Sequence, residues 1–91
     1  MKVSNMESNK GNKIANQFII EDVENECEYF QSYDSIIVKR EYKGKTYLDE
    51  KYWDYSRTTG KYRNIFLGET KKETIAKINS GEYILADLNK K

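Results

Sequence analysis

No histidine occurs in the 91 residues, and Cys27 is the only thiol, so the commonest general base and the commonest nucleophile–base pairs cannot be assembled. A hydroxyl or thiol nucleophile drawn from Ser56, Thr58 or Cys27 would need a lysine, a carboxylate or a metal to activate it. No recognised spacing supplies one. The carboxylates come closer: Asp49 with Glu50, or Glu24 with Glu26 and Glu28, carry the chemistry to share a proton or coordinate Mg²⁺. They read equally well as solvated charges. The expectation is a protein that is not an enzyme and uses no cofactor. A zinc site of common spacing would need the histidines or further cysteines that this chain lacks.

Binding chemistry is better represented. Residues 56–77 carry six positive and two negative charges, whereas residues 21–28 carry five negative and none positive. Arg57, Lys61 and Arg63 sit where a helix should begin, and the free N–H groups there also favour an anion. Arg57 and Lys61 are four apart and share a face, while Arg63 points elsewhere. Lys71 and Lys72 open the next helix, and Tyr55 or Tyr62 could stack on a base. This pattern suits phosphate, yet the net charge of +1 falls short of the basicity of a dedicated nucleic-acid binder. A second surface is aromatic: Tyr47, Trp53 and Tyr55 share strand parity and, if turned outward, form the amphipathic patch typical of protein interfaces. The acidic Glu24, Glu26 and Glu28 would lie near such a patch as further contacts to a partner.

These residues must be carried by elements that the local pattern outlines. Residues 1–13 offer little to bury and read as a flexible tail. Residues 14–89 read as one small domain, and residues 90–91 as a charged end. Gln17–Ile20 and Tyr29–Tyr33 favour strands, with Asp34-Ser35 as a break. From Ser35 the chain alternates: Ile36, Val38, Arg40 and Tyr42 face one way and Ile37, Lys39 and Glu41 the other. Gly44 supplies a turn, so residues 36–52 predict an antiparallel hairpin. Thr58 or Thr59 can cap a first helix whose apolar stripe is Tyr62, Ile65 and Phe66, ending at Gly68. Thr70 and Glu73 form a capping box for a second helix, with Ile75 and Ile78 on one face and Gly81 as its stop. Residues 82–88 read as a closing strand. The predicted fold is α+β, an antiparallel sheet of three to four strands with two short helices packed on one face.

Charged residues make up 34% of the chain, but eight Tyr, three Phe and one Trp bring enough buried area to separate it from a disordered sequence. No apolar run nears the roughly 20 residues that span a bilayer, and the first residues lack the apolar stretch of a signal peptide. Cytoplasmic residence, without membrane contact, is the expectation.

The strand Ser32-Tyr33-Asp34-Ser35-Ile36-Ile37-Val38 and the run from Trp53-Asp54-Tyr55-Ser56-Arg57-Thr58-Thr59 to Phe66-Leu67 together resemble a family of small uncharacterised proteins of phages and other mobile elements. That family pairs a Ser-Tyr-x-Ser/Thr-Ile-Val strand with a Tyr-Ser-x-Thr-Thr motif ending in Phe-Leu. The likeness covers residues 30–85, and the histidine frequent after the Thr-Thr step is Tyr62 here, which argues that this position packs. The resemblance implies a phage setting, the host cytoplasm as location, and a stoichiometric interaction protein acting on a host protein. Inhibition of a defence nuclease, as by anti-CRISPR proteins, is an analogy from that setting. The alternative is a small DNA- or RNA-binding accessory protein using Arg57 and Lys61.

Overall fold

The computed structural model describes residues 1–90. Of the expected charged end, Lys90 is exposed and Lys91 lies outside the described residues. Five strands come first: β1 (Lys2–Glu7), β2 (Lys13–Asp22), β3 (Cys27–Ser32), β4 (Ser35–Glu41) and β5 (Thr46–Asp49). Two helices follow, α1 (Arg57–Leu67) and α2 (Lys71–Ser80), and then β6 (Tyr83–Ala86). All six strands join one sheet in chain order. β1 to β5 form an antiparallel meander, whereas β6 runs parallel to β5.

The α+β class and the two helices therefore stand, but the sheet has six mixed strands where three to four antiparallel ones were expected. Two physical causes account for the difference. The first is β1, expected to be part of a flexible tail over residues 1–13. It is held to β2 by backbone pairing and buries only Met6 well, so its sequence carries almost no hydrophobic signal. The second is β6, which parallel pairing can reach only through a crossover of a dozen or more residues. The two helices supply that crossover.

Residues opposite one another on neighbouring strands project from the same face, so the register sorts the side chains. Phe30 stacks on Phe66 of α1 with ring centroids 5.8 Å apart, which identifies the helix side. Ile19, Phe30, Val38 and Leu48 are successive cross-strand partners on that side, and the last three are fully buried. Arg40 extends the same face, with its guanidinium 4.5 Å above the Phe66 ring and bonded to Glu28 at 2.6 and 2.8 Å.

The alternation expected along β4 is broken once. Gln31 pairs with Ile36 but Phe30 pairs with Val38, which leaves Ile37 as the extra residue of a bulge. Ile37 and Val38 are consecutive and yet both are fully buried in the core. Ile37 is thus not on the Lys39 side, as strict alternation required, and Ile36 is not on the side of Val38 and Arg40.

Both helices obey local chemistry. α1 is capped by Ser56, ahead of the expected Thr58 or Thr59, and its Oγ accepts from the Thr59 N–H at 3.1 Å. Thr59 is thereby free to make a tertiary contact. Its hydroxyl meets that of Ser32 at 2.9 Å, pinning the start of α1 to the end of β3. Gly68 and Gly81 end the helices in the left-handed region, and the Thr70–Glu73 capping box is complete. The buried stripe of α1 is Thr59, Arg63 and Phe66 with Tyr62 alongside. Ile65, expected in it, is 57% exposed. Ile75 is also exposed, at 39%, while Ile78 packs on the core.

Adjacent residues of α1 should accordingly behave differently. Phe66→Ala is expected to cost about 3–5 kcal/mol, and Ile65→Ala to stay within about 0.5 kcal/mol of wild type, both measured by denaturant unfolding. At the sheet edge, Met6→Ala should cost about 2–5 kcal/mol, and deletion of residues 1–10 should lower the melting temperature. An unchanged melting temperature would mean that β1 contributes nothing.

Candidate functional site

The face opposite the helices carries no covering element. One row of cross-strand partners runs over all six strands: Val3, Ile20, Tyr29, Lys39, Tyr47 and Ile84. Val3 is 60% exposed and the other five are half-buried. Five strand spacings make the row about 24 Å wide. Beside it lies a second row of Phe18, Gln31 and Ile36. The Lys39 ammonium lies 5.8 Å from the centre of the Tyr47 ring, a cation placed against an aromatic face. A hydrogen bond to the Cys27 thiol, with burial, pushes the Tyr29 phenol up to about 12. It stays neutral, so Lys39 brings the row's single charge. Cys27 itself is buried.

At the other side of the sheet, a cleft of about 630 Å³ opens at the start of α1, lined by Asp54, Ser56, Arg57, Gly60, Lys61, Arg63, Asn64 and Lys71. Asp54 holds two cations, Lys71 at 2.6 Å and Arg63 at 3.2 Å. Burial alone would raise the Asp54 carboxyl, but hydrogen bonds from Lys71 and Arg63 outweigh it and hold the group below its ordinary value. Arg63 is only 1% exposed. It bonds the Trp53 carbonyl at 2.7 Å and Asn64 Oδ1 at 3.0 Å, and it stacks over the Trp53 ring. Its Nε is buried without a partner.

The sequence-level candidates therefore separate. Tyr47 belongs to the open row. Trp53 is held by Arg63 and packs on the core, and Tyr55 is 51% exposed with its ring edge-on to Tyr52. The outward patch of Tyr47, Trp53 and Tyr55 does not form, because β5 ends at Asp49 and strand parity no longer applies beyond it. Arg57 and Lys61 do share the cleft, and Arg63 forms its buried floor instead of pointing away. Glu24 and Glu26 lie exposed in the β2–β3 turn, at the far end of β3 from the cleft, while Glu28 is paired with Arg40. Missed altogether were Val3, Ile20, Tyr29, Lys39 and Ile84, whose alignment depends on the register of five strand pairings, the bulge setting that of Lys39. Asp54, Gly60 and Asn64 were also missed as parts of the cleft.

Two further carboxylates are structural. Asp49 accepts from the backbone N–H groups of Lys51, Tyr52 and Leu88 and from the Asn89 amide, at 2.8–3.0 Å. It is not half of an acid pair with Glu50. Glu69, between the helices, accepts from Lys77 Nζ at 2.7 Å, from the Tyr83 hydroxyl at 2.8 Å and from the Thr74 hydroxyl at 2.5 Å. Burial acts to raise its carboxyl, and the three donors together bring it below its ordinary value. Among the described residues no cluster of His, Cys, Asp and Glu is placed to hold a metal ion, and no helix is long and apolar enough to cross a membrane.

Residues 1–83 match a family of unknown function, DUF8033, and the chain belongs to that family. No curated protein and no solved structure shows significant similarity to it.

Three lowered carboxylates set a pH dependence: Asp54, Glu69 and Asp22, the last held down by hydrogen bonds from the Asn25 amide and backbone N–H. A carboxyl held lower in the folded state than in the unfolded one stabilises fully above its unfolded value, and that contribution disappears as pH falls through the folded value. The wild-type melting temperature should therefore fall on acidification below about pH 4.5. Glu69→Gln should melt lower than wild type at pH 7, with the gap narrowing as the pH drops below that point. A gap that persists undiminished at pH 3 would show that the charge on Glu69 is irrelevant.

Proposed function

We propose that this chain is a non-enzymatic interaction protein of a phage or mobile element that binds a host protein with the uncovered face of its sheet and so modulates it. A defence nuclease, inhibited in the manner of anti-CRISPR proteins, is the specific target class suggested by the resemblance to phage proteins. The carrying observation is the row Val3–Ile20–Tyr29–Lys39–Tyr47–Ile84. Monomeric proteins rarely leave a contiguous apolar face of this breadth without a use for it. Tyrosines beside aliphatic side chains are the composition of an interface centre, and a single lysine among them gives direction while limiting the desolvation cost to one charge. A nucleic acid laid on the same face would require a cationic track alongside the stacking rings. Lys39 alone does not make one.

A standard interface takes about 800 Å² from each partner, roughly an eighth of the 6157 Å² that the chain exposes. Each residue of the row lies on a hydrogen-bonded strand, so the face is held in a fixed arrangement.

The test is affinity capture from nuclease-treated host lysate, identification of the bound protein, and reconstitution of the pair from purified components. Tyr29→Ala with Tyr47→Ala should weaken the purified complex at least about a hundredfold, the loss expected of two central aromatic anchors. The fold should remain cooperative, and Arg57→Ala with Lys61→Ala should leave affinity within about twofold. Two results would overturn the reading. One is a stable homodimer that the tyrosine substitutions dissolve. The other is submicromolar, salt-sensitive binding to DNA or RNA.

A further inference from the structure

The cleft at the start of α1 is used neither by the core nor by the open sheet face, and its charges are arranged against the stability of the helix. A helix start is the positive pole of the backbone dipole and is normally met by acidic side chains. The first turn of α1 contains none. Instead four cations, Arg57, Lys61, Arg63 and Lys71, line the cleft against the single carboxylate of Asp54. Asp54 is taken up by Lys71 and Arg63. Among the described residues Arg57 and Lys61 form no ion pair. Positive charge is thus concentrated at a positive pole, with too little negative charge to balance it.

The floor of the cleft is fixed and its walls can move. Arg63 is held by Trp53, Asp54 and Asn64 and is almost fully buried, with one N–H still lacking an acceptor. Lys71 is held by Asp54 at 2.6 Å and has further ammonium hydrogens to donate. Arg57 and Lys61, both exposed, flank it one turn apart. Gly60 lies between them on the cleft surface. A methyl group there would stand 3.7 Å from Arg63 Nη2 and from Asp54 Oδ1, ordinary contact distances, so the glycine is not required by crowding. Glycine inside a helix is nonetheless destabilising relative to alanine. Gly60 is itself buried, and its missing side chain leaves room in the cleft beside Arg63 and Asp54.

We propose that this cleft binds a phosphate group carried by a small molecule of nucleotide size. Tetrahedral, multiply charged and offering several acceptor oxygens, a phosphate can use several cationic donors that line one concavity, as Arg57, Lys61 and Lys71 do. The volume lies within the range of small-molecule sites. The cations gather around one concavity and do not extend along a line, which suits one phosphorylated ligand better than a polynucleotide backbone.

Binding of ADP and of pyrophosphate to the full chain is measured by titration calorimetry and by thermal shift, at about 50 mM salt where ion pairs are weakly screened. Both probes should bind and raise the melting temperature, and adenosine should not. Arg57→Gln with Lys61→Gln should weaken both probes at least about tenfold, as expected for lost charge-assisted hydrogen bonds. The unliganded double variant should melt no lower than wild type, because those cations oppose the helix dipole. Gly60→Ala should likewise fold at least as well as wild type but bind more weakly. Lys43→Gln with Lys45→Gln, on the distant β4–β5 turn, should leave affinity unchanged. The proposal is overturned if neither probe binds at millimolar concentration, if the Arg57 and Lys61 substitutions leave affinity intact, or if only single-stranded oligonucleotides bind.

Discussion

One extra residue in β4 governs what each face of the sheet presents. Phe30 is opposed by two residues, Ile37 and Val38, and both enter the core under α1. Before that point the chain places Ile36 on the opposite face beside Gln31, and beyond it Lys39 aligns with Tyr29 and Tyr47. A shift of one residue in a strand exchanges its faces. Moving the bulge would therefore place Arg40 on the open face and withdraw it from Phe66 and Glu28. Within β4, the residues that join the covered core and those that join the uncovered row are sorted by this one local irregularity.

The crossover from β5 to β6 is held by ions more than by oil. Asp54 joins the loop before α1 to the first turn of α2, Glu69 joins the interhelix turn to α2 and to Tyr83 of β6, and Asp49 ties the turn after β5 to the segment after β6. Two short helices with few apolar residues could not be positioned by burial alone. Carboxylates with several converging donors fix them at defined angles, since a buried charge tolerates little displacement of its partners. That precision keeps the cleft and the sheet as separate surfaces on a chain of 91 residues.

What could be read in the sequence follows from how local each cause is. The Thr70–Glu73 box and the stops at Gly68 and Gly81 depend on residues within one turn, and all are visible in the chain alone. The hairpin around Gly44 and the clustering of Arg57 with Lys61 are legible for the same reason. β1 was not, because an edge strand held by backbone pairing needs little apolar content. The open row was not, because it is an alignment of single residues from six strands. Trp53 and Tyr55 were assigned to a surface with Tyr47 by extending strand parity past Asp49, where hydrogen bonds to its carboxylate turn the chain. Arg63 reads as a surface cation, and only the tertiary structure shows it sealed beneath Trp53.

Asn89 has a role larger than its position suggests. Its side-chain amide accepts from the Ile36 N–H at 2.7 Å and donates to the Ile36 carbonyl at 2.9 Å, as a neighbouring strand would. Its amide also reaches Asp49. The meander can assemble from contacts between neighbours in the chain, but this contact spans 53 residues and carries a correspondingly larger loop-closure cost. It cannot form until the helices have carried β6 across the sheet. The bulged strand that sorts the two faces is thus locked at its first residues only when the rest of the chain is in place, so the order of assembly itself couples completion of the fold to the shape of the open face.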